Sequence, residues 1–372
     1  MVGTTTRIII INFKLLTDSS IAASIIISRT TPSSLFQALS RCTHPVPRWQ
    51  LHGVYPSGGK FVGTWQTQMG EIRPASWLGD LYKDTSLVFE TLPVVPTSHN
   101  SCAHLPKRRW LCLPYSWAKC QRLSIKDQLS IGVRGFDLRL RLPKVVDLKK
   151  GLPSINIVHF FESSYTLARV FTEMLDFLEK HPKESIFILI KAEWRTRFRW
   201  SVEAINLLWK RIAELPRLLK SSSLRGKDPS KWTFQDIRGK MIMVPDDAIY
   251  ANYTSQHDTE ILSPTFFNKC INYNADSIST AMQNISAHFG KSGESGYKWI
   301  ETNVVVACFP PWWVARRMHK FLDAFVQKDV KSDQERCFGI FLIDFCDSAL
   351  VKKIISFCSS AKFDDEAIRL QF

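Results

Sequence analysis

Two of the nine histidines in this 372-residue chain end short apolar runs. His99 follows Leu92-Pro93-Val94-Val95-Pro96-Thr97-Ser98, and His159 follows Ile155-Asn156-Ile157-Val158. Between them lies Arg139, two residues after Asp137 in a third apolar run. An imidazole of ordinary pKa can take a proton from an attacking hydroxyl while a second gives one to a leaving oxygen, each worth about 10²- to 10⁴-fold in rate. A guanidinium has a fixed charge and a planar fork that match the oxygens of a phosphate during displacement. These residue types therefore suit proton transfer at a phosphodiester. Types alone do not single it out: a lone histidine is more often a hydrogen-bonded core or surface residue, and Asp137-Leu138-Arg139 taken alone reads as an ion pair at a strand end.

Such groups need strands to carry them. Apolar runs predict strands over 92–96, 133–140, 155–158, 186–190, 240–244, 303–308 and 339–345. Amphipathic spacing predicts helices between them, over 123–129, 167–178, 200–215 and 313–325, the second stopping near His181-Pro182. Strand-then-helix recurrence at this count predicts an α/β fold of the (β/α) barrel kind, with an open doubly wound sheet as the alternative. In both, ligand sites lie beyond the carboxyl ends of the strands. His99, Asp137 with Arg139, His159, Lys191 and the pair Asp344/Asp347 all fall there.

Composition narrows the class. Hydrophobic residues make up 45% and charged residues 22%, as in a globular protein. The net charge of +15 favours an anionic partner: nucleic acid, acidic lipid or a phosphorylated substrate. The nine cysteines include no CxxC pair and no zinc spacing, which reads as mostly reduced, buried thiols. No stretch approaches the length of about 20 apolar residues that spans a bilayer. Residues 1–70 carry a single acid, Asp18, and many Ser and Thr. They read as an N-terminal extension of low order, or an import signal, ahead of a folded domain at 71–372.

The words around the candidate residues are more specific. Leu92 to Ser101, then Cys120-Gln121-Arg122-Leu123-Ser124-Ile125-Lys126-Asp127-Gln128-Leu129, then Gly132-Val133-Arg134-Gly135-Phe136-Asp137-Leu138-Arg139 resemble, in order and spacing, the opening of the phosphatidylinositol-specific phospholipase C X domain. The resemblance continues through Asn156-Ile157-Val158-His159-Phe160, Phe177-Leu178-Glu179-Lys180-His181-Pro182-Lys183-Glu184 and Phe187-Ile188-Leu189-Ile190-Lys191, and resumes at Ile340 to Phe345. The small calcium-independent members, the GPI-specific enzymes and the X-domain-only proteins are most similar in wording.

The resemblance implies a distorted (β/α) TIM-like barrel that cleaves phosphatidylinositol or a GPI anchor to diacylglycerol and inositol 1,2-cyclic phosphate. His99 would be the general base toward the inositol 2-hydroxyl, and His159 the acid toward the diacylglycerol oxygen. Arg139 stands where calcium-dependent relatives have a metal-ligand acid, which implies no cofactor, no metal and no calcium requirement. Asp137 would orient the hydroxyl or the arginine, Asp344 would hold the base imidazole with Asp347 as the rival, and Asn100, Lys191 and Arg134 would contact substrate. Asp246 stands where many relatives place a substrate-contacting arginine.

Trp194, Phe198 and Trp200 interleave with arginines past the same rim and are candidate membrane-interface residues, with an inward-packed helix start as the alternative. The implied partners are an inositol phospholipid or GPI-anchored substrate and a membrane surface, with no nucleic acid and a monomeric state. The implied location is cytoplasmic and peripherally membrane-associated, with secretion and organellar targeting left open. The rival readings are an X-domain-like lipid-binding or interaction module that has lost turnover, and glycerophosphodiester hydrolysis. The latter needs an acid-rich metal site where Arg139 stands.

Overall fold

The computed structural model describes residues 72–104, 118–141, 155–193, 201–250, 258–272, 275–289, 297–302, 310–329 and 339–369, with six short strands ahead of them. Contacts divide the chain between Ile72 and Arg73. In the first unit Ile8–Ile9 pairs with Ile27–Ser28, Lys14–Leu15 with Ile21–Ala22, and Trp49–Val54 with Val62–Thr67, all antiparallel.

Among its described residues the second unit carries nine strands: β1 Val94–Ser98, β2 Gly135–Leu140, β3 Asn156–His159, β4 Phe161–Thr166, β5 Ile186–Ala192, β6 Met241–Pro245, β7 Asn268–Cys270, β8 Lys298–Glu301 and β9 Gly339–Ile343. Its principal helices are α1 Ile125–Ser130, α2 Leu167–Lys180, α3 Val202–Ala213, α4 Ile278–Phe289, α5 Pro311–Asp329 and α6 Ser348–Arg369. Seven strands run parallel in the order β6-β5-β2-β1-β9-β8-β7. Apart from the β3–β4 hairpin, each strand thus lies beside its predecessor in sequence, and β1 lies beside the last. This is the circular order of a (β/α) barrel, open at one seam. There β6 pairs through Met243 with Ile261 of the following connection, and the described residues show no β6–β7 ladder.

Local chemistry explains these elements. Parallel strands are covered on both faces and so are apolar throughout; every residue from Ile186 to Ile190 is buried. In α2 the buried residues Leu167, Val170, Phe171, Met174 and Leu178 form one stripe at helical spacing. Thr166 caps that helix by accepting a hydrogen bond from the Arg169 amide. Ser124 caps α1 in the same way through Asp127. β1 and β2 approach each other at Gly135, where a Cβ would fall 2.0 Å from the Thr97 hydroxyl oxygen. Only glycine fits there, and the register Thr97↔Gly135, Ser98↔Phe136 brings His99 level with Asp137.

Two features differ from the sequence expectation. The strand expected over 303–308 has no counterpart in the described residues, because 303–309 lie outside them; the strand that pairs with β9 is Lys298–Glu301. The chain also does not pass straight from His159 into α2. It bends back at Phe160 into antiparallel β4, with Phe161 opposite His159. The five described cysteines, Cys102, Cys120, Cys270, Cys346 and Cys358, are buried free thiols, and none of the described helices is long and apolar enough to cross a membrane.

Candidate active site

The carboxyl ends of β1, β2, β3, β5, β8 and β9 bring most of the expected residues together. His99 leaves β1 with its amide donating to the Ile343 carbonyl at the end of β9 (3.0 Å). Its Nδ1 lies 2.7 Å from Asp344 Oδ1, and its Nε2 lies 3.0 Å from an Arg139 guanidinium nitrogen. Guanidinium can only donate, so Nε2 is the accepting nitrogen and Nδ1 carries the proton given to Asp344. That tautomer leaves the basic lone pair of His99 facing the site. Of the two acids offered for this task, Asp344 holds the imidazole. Asp347 pairs instead with His319 (3.3 Å), whose other ring nitrogen meets the Asp344 carbonyl at 2.7 Å.

His159 faces His99 across the site, ring centroids 6.3 Å apart at 69°. Asn100 links them: its Nδ2 is 3.0 Å from His99 Nε2 and 3.4 Å from His159 Nε2. Beneath lies Asp137, fully buried, accepting from the Asn100 amide at 3.1 Å. Burial opposes ionisation of Asp137, but Lys191, Arg139 and His99 outweigh it and hold the carboxyl at about 2. Lys191 Nζ stands 3.6 Å from Asp137 and 3.0 Å from Glu301 Oε1. Burial opposes the charge of Lys191 too, and these two carboxylates overcome it, raising its pKa. Burial lowers the His159 pKa well below the ordinary value, and Arg139 and His99 push it further in the same direction. The imidazole is therefore neutral at pH 7 in the free protein.

Backbone geometry marks the same three residues. Among the described residues five non-glycines have positive φ, and three of them directly follow His99, His159 and Asp344: Asn100 (44°), Phe160 (57°) and Phe345 (52°). Each sharp turn at a strand end swings the preceding side chain toward the common centre, a strained backbone of the kind that gathers at functional sites. Four buried polar atoms there lack a hydrogen-bond partner among the described residues: Asn100 Oδ1, Asp137 Oδ1, Arg139 Nε and His159 Nδ1. Buried polar groups are otherwise almost always satisfied. All four residues line one hollow open to solvent, so a polar ligand entering it would meet them together.

Three further groups shape the site. Gln121, fully buried, donates to the carbonyls of His99 (2.8 Å) and Ile343 (2.9 Å) and accepts from the Cys346 amide (3.1 Å). It clamps the ends of β1 and β9 together and so fixes His99 against Asp344. Asp246, where the resemblance implies an arginine in many relatives, accepts from the amides of Ala192 (3.0 Å) and Ile249 (2.9 Å), tying β5 to the turn after β6. Cys120 Sγ lies 3.5 Å from the side-chain Nδ2 of Asn100, and burial pushes its thiol well up, with Asp344 adding to the effect. It is therefore a neutral thiol and not a nucleophile. His99, Cys120 and Asp344 present metal-type donor atoms within 4.8 Å of one another. A cation there would have to displace the thiol proton and bear the charge of Arg139 at His99.

Arg134, grouped with the substrate contacts on the sequence, lies elsewhere. It precedes β2 at the opposite end of the barrel, is fully buried, and pairs with Glu184 at 2.7 Å. A position before the strand faces the amino-terminal end, where barrel residues serve stability. Trp194, Phe198 and Trp200 lie outside the described residues. Glu301 was not anticipated at all, although an acid closing the short run Trp299-Ile300-Glu301 carries the same strand-then-acid signal as Asp137 and Asp344.

The titration of His159 can be read directly. NMR observation of its ring in the free protein should give a pKa below that of an ordinary histidine, moving upward when inositol phosphate is added. A histidine lowered on folding binds fewer protons than in the unfolded chain, so this group subtracts stability as pH falls below its unfolded value. An upward-shifted pKa in the free protein would contradict the electrostatics described here.

No family model matches the chain. The fold is nonetheless that of the phosphatidylinositol-specific phospholipase C barrels. The enzyme of that name from Listeria monocytogenes superposes with a TM-score of 0.59 at 21% identity, over 77% of this chain and 99% of its own. A structure of the Staphylococcus aureus enzyme gives 0.56 at 15% identity, over 77% and 97%. In sequence, the 1-phosphatidylinositol phosphodiesterase of Listeria monocytogenes is 24% identical over 321 residues, 81% of this chain and 92% of that protein. The chain is thus a homologue of bacterial phosphatidylinositol-specific phospholipase C, and the likeness read from its motifs holds in sequence and in fold.

Proposed function

We propose that this protein is a phospholipase C that cleaves phosphatidylinositol, or the inositol phospholipid of a GPI anchor, between phosphorus and diacylglycerol. The reading is carried by two imidazoles facing each other at 6.3 Å with Arg139 on one of them. His99 Nε2, with its proton directed to Nδ1 by Asp344, takes the proton of the inositol 2-hydroxyl. The freed oxygen attacks the neighbouring phosphorus, and inositol 1,2-cyclic phosphate forms. His159 protonates the departing diacylglycerol oxygen. It is neutral in the free protein and takes up a proton from solvent as substrate binds, because the phosphodiester anion supplies the opposite charge that raises its pKa. Arg139 meets the phosphate oxygens, and the nucleophile belongs to the substrate, so positioning supplies much of the rate. Lys191 with Asp137 and Glu301 offers donors and acceptors to the remaining ring hydroxyls.

Adsorption to a bilayer fits the surface of the barrel unit. Among its described residues the large exposed apolar side chains are Phe160, Val202, Tyr250, Ile271 and Trp312. Phe160 and Ile271 directly follow β3 and β7, and Val202 and Trp312 open α3 and α5. Exposed apolar groups on a basic protein suit an anionic lipid surface.

The test is incubation of the purified protein with radiolabelled phosphatidylinositol vesicles and with a GPI-anchored protein, with and without chelator. Cyclic inositol phosphate is expected in both arms, because the fixed charge of Arg139 takes the place of calcium. Activity lost on chelation and restored by calcium overturns the metal-independent reading. Vesicle binding without release, in a folded preparation, favours the non-catalytic module.

A further inference from the structure

We infer that His319 is a positioning residue of this site: from α5 it holds the peptide group that follows Asp344, and through Asp344 it fixes the ring of His99. This deepens the proposed function and rests on it. The argument starts at the end of β9. The Asp344 carboxylate meets His99 Nδ1 at 2.7 Å, so its aim depends on the backbone that leaves Ile343. That backbone turns at once. Phe345 has a φ of 52°, a region that a bulky residue keeps only where its surroundings determine it. The peptide between Asp344 and Phe345 is held at both poles: its N–H donates to the Cys120 carbonyl at 2.6 Å, and its carbonyl accepts from His319 Nε2 at 2.7 Å. Releasing either pole lets the peptide turn over toward negative φ, and the residue that carries the carboxylate shifts with it.

The two poles are held from different parts of the fold. Cys120 and Gln121 reach the amides of Phe345 and Cys346 from the segment before α1, whereas the Asp344 carbonyl is met from α5. A carbonyl only accepts, so Nε2 of His319 bears its proton. The Asp347 carboxylate, 3.3 Å from Nδ1, restrains the ring from its other side. Asp347 is itself fixed at the start of α6, where it accepts from the Leu350 amide at 2.9 Å. The second acid after β9 thus has a place in the site without touching His99: it steadies His319, which steadies Asp344.

The test compares His319→Asn with His319→Gln. The glutamine amide reaches as far as imidazole Nε2 and can donate to the Asp344 carbonyl, and the asparagine amide stops short of it. In His319→Asn, kcat on phosphatidylinositol vesicles should fall about tenfold, the rate equivalent of one hydrogen bond. KM should stay within about twofold, since the substrate contacts are untouched. His319→Gln should recover most of the loss. In an Asp344→Ala background His319→Asn should cost less than about twofold, because the group it acts through is gone. Proton NMR gives a readout independent of turnover. The His99 Nδ1–H resonance, carried downfield by its hydrogen bond to Asp344 and assigned by its absence from His99→Ala, should move upfield in His319→Asn and keep its place in His319→Gln. Melting temperatures establish that each variant is folded. Wild-type kcat in His319→Asn, a tenfold loss in a folded His319→Gln, or an undiminished loss in the Asp344→Ala background overturns the inference. An unmoved His99 resonance in His319→Asn does so too. If the wild type cleaves no inositol phospholipid, the proposed function has failed, and that resonance decides the role of His319 by itself.

Discussion

His99→Ala is expected to lower inositol phosphate release from phosphatidylinositol vesicles by about three to four orders of magnitude, toward the upper range for loss of a general base. Vesicle binding should stay near wild type, because the exposed apolar side chains are untouched. The size of the loss follows from geometry. His99 Nε2 is the accepting nitrogen at the centre of the site, and Arg139 and Asn100 already point at it, so no other described group can take the proton from the same place. Asp137 is the nearest carboxylate, 3.9 Å from Nε2, and a carboxyl held at about 2 is too weak a base to substitute. Asp344→Asn should give a smaller loss, since it leaves the imidazole in place and removes only the group that fixes its tautomer. A His99→Ala protein that releases product at the wild-type rate removes His99 from the mechanism, and with it the proposed chemistry.

The residues that were legible in the sequence share one property: each lies in or directly after an apolar run. His99, Asp137, Arg139, His159, Lys191 and Asp344 lie on or just past strands that alternate with helices, and that pattern is enough to place them on one face of a barrel. Resemblance to a family added roles that residue types alone left open, such as base against acid. Gln121 was visible as a letter in a motif but not as a clamp, because its three partners belong to β1, β9 and the turn after Asp344, and sequence spacing does not encode such long-range contacts. Glu301 was hidden for another reason. The run Asn303 to Cys308 is more apolar than Lys298 to Glu301, so hydropathy favoured the later segment, whereas the ladder to β9 begins at Lys298. Phe160 was visible only as the last residue of a motif, and its left-handed backbone is a property of the structure.

The carboxylates around Lys191 have a consequence for the headgroup. Asp137 lies on one side of its ammonium and Glu301 on the other, and Asp246 is directed at backbone amides at the end of β5. Asp246, at the position where the resemblance leads one to expect a cation, is thus an acid with structural partners of its own. Among the described residues, the part of the site between Asp137 and Glu301 holds one lysine, paired with both carboxylates. Positive charge is concentrated instead at Arg139, which meets the scissile phosphate in the proposed mechanism. That distribution suits an inositol ring bearing free hydroxyls, which exchange donors and acceptors with Lys191, Asp137 and Glu301 without bringing further negative charge.

Arg134 supplies the largest expected effect on stability. Arg134→Met should destabilise the barrel by about 3 to 5 kcal/mol, the usual cost of breaking a buried ion pair from one side. The guanidinium donates to Glu184 at 2.7 Å, to the carbonyls of Leu129 and Val133 at 2.9 and 2.8 Å and to that of Pro74 at 3.1 Å, and it lies over the Phe177 ring at 4.7 Å. Methionine fills much of the volume but satisfies none of those acceptors. Glu184 keeps the Gly79 amide at 2.7 Å, which is not enough to hold an unpaired buried charge without loss. Removing both charges, in Arg134→Met with Glu184→Gln, should recover part of the deficit, because the uncompensated carboxylate is then gone. Denaturant titration of the three proteins measures this, and vesicle cleavage at temperatures where each remains folded completes the comparison. A single mutant as stable as wild type that no longer cleaves lipid would return Arg134 to the substrate site; one that is less stable yet turns over normally while folded fixes it as the ion pair that holds the entrance to β2 against Glu184.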